Sequence, residues 1–63
     1  MRLREIRLEK GISVPELSRM STVPRRTIQD IEKYDNCKVS TAILLAKALQ
    51  VTLDELCDFN LDQ

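Results

Sequence analysis

The chain of 63 residues has no histidine, no tryptophan, a single glycine (Gly11), two prolines, two cysteines and only two aromatic rings, Tyr34 and Phe59. Each scarcity removes a class of function. Without histidine, acid–base catalysis near neutral pH loses its usual agent. One glycine cannot build a glycine-rich phosphate loop. Cys37 and Cys57 lie far apart in sequence and have no histidine to join them, so one chain assembles neither a CxxC redox motif nor a zinc set. The start, Met1-Arg2-Leu3-Arg4-Glu5, has no apolar signal region, and no apolar run approaches the length of a bilayer span. The expected setting is a reducing cytoplasm, with no cofactor, no metal, no membrane and no small-molecule substrate. Acidic pairs such as Asp54-Glu55 fit the first turn of a helix, facing its dipole, better than they fit catalysis.

What is present is one small domain. A chain this short buries about 60% of its unfolded surface, too little for two cores, so residues 1–63 are read as a single unit. Ten basic and ten acidic residues cancel, but their distribution does not. Up to Lys33 the chain carries eight basic residues against five acidic ones, a balance of +3; from Tyr34 onward it carries two against five, −3. Attraction to a polyanion therefore belongs to the first half.

That half contains two short helical patterns that meet at an abrupt turn. Ser13 caps the first helix, and Glu16 is placed to reach back in a capping box. Pro15 falls in the first turn, where its missing N–H costs little, and Leu17 and Met20 share a face. Ser21, Thr22 and Val23 break the period, and Pro24 suits the start of a new helix from Arg25 to about Lys33. There Ile28 and Ile31 point inward, leaving Arg25, Arg26, Gln29, Asp30 and Lys33 outside. A helix so short is pinned by packing rather than by propensity. The arrangement reads as a helix-turn-helix whose second helix enters a DNA groove.

On either side, Leu3 and Ile6 mark a first helix over about Arg2 to Lys10, ended by Gly11. Ser40 is a plausible N-cap for a helix from Thr41 to about Leu49, with Ala42, Leu45, Ala46 and Leu49 inward and Ile43 and Leu44 elsewhere. Thr52 opens a last short helix with Glu55 at the capping-box position, and Leu56 returns to the core.

The ordered set of residues resembles the Cro/C1-type (XRE-like) helix-turn-helix domains of phage and bacterial regulators. It comprises Leu3, Ile6 and Arg7; Gly11-Ile12; Glu16-Leu17; Val23; Thr27-Ile28; Ile31-Glu32; Leu45-Ala46-Lys47-Ala48-Leu49; Val51; and Thr52-Leu53-Asp54-Glu55-Leu56. The resemblance covers nearly the whole chain and implies an all-α fold, a five-helix bundle like that of lambda repressor. It implies an ion pair between Arg7 and Glu32 that ties helix one to helix three. It also implies a phosphate contact from the loop and start of helix four, here Lys38 and the N–H groups near Ser40. In the family the fifth helix often pairs with its symmetry mate, which makes Leu53, Phe59 and Leu61 a dimer patch; the alternative is that Phe59 and Leu61 cover the domain's own core. Two positions depart from the pattern. Tyr34 stands where a glycine is usual, moving the expected tight turn to Asn36, and Val14 stands where glutamine is common, removing one phosphate contact.

Groove geometry then assigns roles. The start of the recognition helix lies closest to base edges, so Arg25 and Arg26 are candidates for guanine, Gln29 for adenine and Asp30 for a cytosine amino group, while Ser13, Thr27 and Lys33 contact phosphate or frame the fit. The expected function is a DNA-binding transcriptional regulator, a repressor, acting on double-stranded DNA as a homodimer. The competing reading is a protein-interaction or antitoxin-like module that uses Leu44, Leu53 and Phe59.

Overall fold

The computed structural model describes residues 1–57. Among them are five helices and no strand: α1 (Leu3–Glu9), α2 (Val14–Ser21), α3 (Arg25–Tyr34), α4 (Val39–Leu49) and α5 (Leu53–Cys57). Phe59 and Leu61 lie outside the described residues.

None of these helices is long enough to stand alone, so the apolar stripes decide the structure. Leu3 and Ile6 from α1, Leu17 from α2, Val23 from the turn, Ile28 and Ile31 from α3, Leu45, Ala46 and Leu49 from α4, and Leu56 from α5 form one core. Leu3, Leu17, Ile28, Leu45, Leu49 and Leu56 are fully buried, and each such side chain contributes about 1.5–3 kcal/mol. α2 packs on α3 and α4, α4 on α5, and α1 on α3 and α5. The Arg2 N–H also donates to the Leu56 carbonyl at 2.8 Å, closing the beginning of the chain onto α5.

Several local expectations shift. Met20 is not inward: it is 47% exposed, and Ser21 is buried in its place. The stripe of α2 follows i, i+4 from Leu17 to Ser21, because the Ser21 hydroxyl donates back to the Leu17 carbonyl at 2.7 Å and accepts the Val23 N–H at 3.2 Å. A buried hydroxyl with both bonds made ends the helix at small cost. Ser13 caps α2 as expected, its Oγ accepting the Glu16 N–H at 3.2 Å.

α4 starts earlier than expected. Lys38, not Ser40, is its N-cap, and no side chain bonds to the exposed amides. Ser40 is thus the second helical residue and exposed. The inward set Ala42, Leu45, Ala46 and Leu49 is buried as the period requires, with Ile43 and Leu44 outside. The left-handed residue after α3 is Asp35 (φ 57°), not Asn36, because α3 runs through Tyr34 and aspartate tolerates this region. Gly11 (φ 68°) follows α1, where the Ile12 N–H bonds to the Arg7 carbonyl at 3.1 Å.

Candidate nucleic-acid interface

Three hydroxyls hold the turn that aims α3. Ser18 Oγ donates to the Val23 carbonyl at 2.6 Å, Ser21 bonds as above, and Thr22 Oγ1 donates to the Ser21 carbonyl. Thr22 itself sits at φ 64°, an unusual place for a β-branched residue, and its N–H still closes α2 by bonding to the Ser18 carbonyl at 2.9 Å. The small-residue break was visible in the sequence; the hydroxyl network was not, because it depends on which way α2 is rotated.

The far end of α3 is fixed by Arg7, which is only 8% exposed. Its Nε donates to Glu32 Oε2 at 2.8 Å, Nη2 to Glu32 Oε1 at 3.2 Å, and Nη1 to the Ile12 carbonyl at 2.9 Å. This two-pronged pair is oriented by its planar donors and shielded from water, so it differs in kind from a surface ion pair.

Between those anchors Ile28 (0% exposed) and Ile31 (3%) clamp α3 from beneath, and Arg25, Arg26, Gln29, Asp30 and Lys33 are all exposed. Arg26 and Asp30 lie at i, i+4 spacing, yet among the described residues neither they nor Arg25 form an ion pair. The outer face is therefore stiff in its backbone and open in its side chains. Lys33 Nζ rests 5.2 Å from the centre of the Tyr34 ring, a cation–π contact that turns it toward the C-terminal end of α3.

Thr27 and Asp30 from α3 and Lys38 and Thr41 from the beginning of α4 line one open groove of about 390 Å³. Asn36 and Thr41, which the sequence marks only as a turn and a helix start, also belong to this groove; with Lys38 as N-cap of α4, Thr41 is its third residue. Neither α3 nor α4 has a capping side chain or an acidic residue in its first turn, so their first N–H groups have no side-chain cap of their own. Ser13 is apart from this groove, at the exposed start of α2, and Leu53 is half-buried on α5.

Among the described residues no group of three or more acidic or cysteine side chains is placed to hold a metal ion, and no helix is long and apolar enough to cross a membrane. The ionisable groups held away from their ordinary values are outside α3. Two hydrogen bonds from Thr52 lower the Glu55 carboxyl, and burial raises the thiols of Cys37 and Cys57.

No solved structure matches the chain. A protein of Bacillus subtilis (strain 168), named as an SPbeta prophage-derived uncharacterized HTH-type transcriptional regulator YopO, is 36% identical over 58 residues, covering 90% of this chain and 83% of that protein. The helix-turn-helix family model matches residues 3–56, from the first buried leucine of α1 to the last of α5. With five helices in this order and a rigid, outward-facing α3, the chain belongs to the Cro/C1-type (XRE-like) helix-turn-helix family of DNA-binding transcription regulators.

Proposed function

We propose that the protein represses transcription by seating α3 in the major groove of double-stranded DNA. The observation that carries this reading is the pairing of a clamped underside, Ile28 and Ile31, with unpaired Arg25 and Arg26 on the exposed side of the helix's first turn. Arg25 and Arg26 read guanine, where a bidentate contact discriminates by about 1–3 kcal/mol; Gln29 reads adenine, and Asp30 accepts from a cytosine amino group. Asp30 also repels phosphate, which trades non-specific attraction for selectivity. Ser13, Thr27, Lys33, Lys38 and the backbone around Ser40 grip the phosphates on either side.

A domain of this size makes few phosphate contacts. A homodimer joined through α5, with Leu53 in the contact, supplies two recognition helices for half-sites about one helical turn apart. Action is by binding, in the cytoplasm, without a cofactor and without catalysis.

Selection of bound sequences from a random duplex pool at low and high salt tests the proposal. The expected outcome is a palindromic consensus with a guanine in each half-site, recovered poorly at high salt. Retention of duplexes without a consensus, or of none, contradicts it. Salt-insensitive capture of a protein partner that depends on Leu44 and Leu53 would favour the interaction-module reading.

A further inference from the structure

Folding brings together two groups that are remote in the sequence. Cys37, in the loop between α3 and α4, and Cys57, the final residue of α5, line one cavity of about 170 Å³, with Val39, Ala42 and Leu53 as its apolar wall. Both thiols are free and part-exposed, so small reagents reach them. The Cys37 thiol donates to the Lys38 carbonyl at 3.2 Å, which couples it to the residue that caps α4. Burial raises both thiols, and the charge Cys57 would carry adds to the rise at Cys37, so near neutral pH both are held mainly as thiols.

We propose that Cys37 and Cys57 are a redox-modification site: a low-molecular-weight disulfide oxidises them to one intramolecular disulfide, and the bond weakens DNA binding. The chemistry balances by exchange. The thiolate of one cysteine attacks the reagent's sulfur, forming a mixed disulfide and expelling one small thiol; the second cysteine then displaces the other small thiol. Two protein thiols lose two hydrogens and two electrons, and the reagent leaves as two reduced thiols.

Geometry supplies the consequence. A disulfide requires its sulfurs about 2.05 Å apart and its Cα atoms within roughly 7 Å. Closing the bond across the cavity tethers the loop of residues 35–38 to α5 and removes the S–H that Cys37 donates to the Lys38 carbonyl. Lys38 and the open amides of α4 then leave the position in which they grip phosphate. This consequence rests on the proposed DNA reading; the cross-link itself does not.

The test treats the whole chain with glutathione disulfide. Free thiols and intact mass are measured first, without DNA, and affinity for the selected duplex second. The expected result is loss of both thiols and of two hydrogens in a monomeric product, an affinity roughly tenfold lower, and recovery with dithiothreitol. Cys37→Ser and Cys57→Ser should each keep their affinity through the treatment. Persistent thiols, stable glutathione adducts or covalent dimers overturn the site, and a cross-linked monomer with unchanged affinity overturns the switch. If the reduced protein binds no duplex, the DNA reading fails separately, and the thiol and mass measurements still decide whether the two cysteines pair.

Discussion

The amino ends of α2 and α5 contrast with those of α3 and α4. Ser13 accepts the Glu16 N–H, and at α5 the bonding is reciprocal: the Glu55 N–H donates to Thr52 Oγ1 at 3.1 Å and the Thr52 N–H to Glu55 Oε1 at 2.9 Å. Both helices also carry an acidic residue in the first turn, which α3 and α4 lack. At α2 and α5 the chain's own side chains bond the first amides and offset the dipole; at the two helices that border the groove, no side chain caps the amides. The difference teaches that the same fold satisfies some of its helix starts with its own side chains and leaves others without a side-chain partner.

The largest way to break this division is to release α3. Arg7→Ala removes three hydrogen bonds and strands Glu32, and the loss of one partner from such a shielded pair costs about 3–5 kcal/mol. Thermal unfolding should show the variant largely unfolded or sharply destabilised, with DNA binding lost as a consequence. Arg26→Ala should do the reverse: an unchanged melting temperature, with about 1–3 kcal/mol of base discrimination gone in competition binding.

Smaller changes sharpen the contrast. Thr52→Ala should lower stability by about 1 kcal/mol in denaturant titration and leave the affinity for DNA alone. The effect carries a pH signature. Bonding from Thr52 holds the folded-state Glu55 carboxyl below its ordinary value, so the stabilisation is present above the unfolded glutamate pKa and is lost as pH falls through the folded one. The gap between wild-type and Thr52→Ala stabilities should therefore narrow in acid without closing, because the bond from the Glu55 N–H to Thr52 Oγ1 survives protonation. Lys38→Asp gives α4 a capping carboxylate, so stability should rise by about 0.5–1 kcal/mol while DNA affinity falls and its salt slope weakens by about one ion.

Much of the fold was legible because single residues carry strong local rules. Ser13 and Thr52 announced two helix starts, Gly11 one helix end, and the spacing of Ile28 with Ile31 the buried side of α3. The rest depended on rotation and competition between neighbours. Met20 and Ser21 are both credible inward residues by spacing, and only the hydroxyl's two bonds select Ser21. Ser40 is a better cap by type than Lys38, yet Val39 and Thr41 continue the helix and place Ser40 inside it. Asp35 and Asn36 both tolerate a left-handed backbone, and the length of α3 chose Asp35. For the candidate interface, residue type and period single out the exposed side of α3, whereas the groove shared with Thr41 and the cavity shared by Cys37 and Cys57 are properties of tertiary packing, invisible to any linear spacing rule.

The most direct test of the central claim is the salt dependence of the dissociation constant for the selected duplex, measured for the wild type and for the Arg25→Ala/Arg26→Ala variant at equal thermal stability. The expected result is a linear fall of log affinity with log salt for the wild type, and for the variant both weaker binding and loss of preference for the guanine-containing site. Identical affinity and selectivity in the two proteins would show that α3 is not the surface that meets the bases.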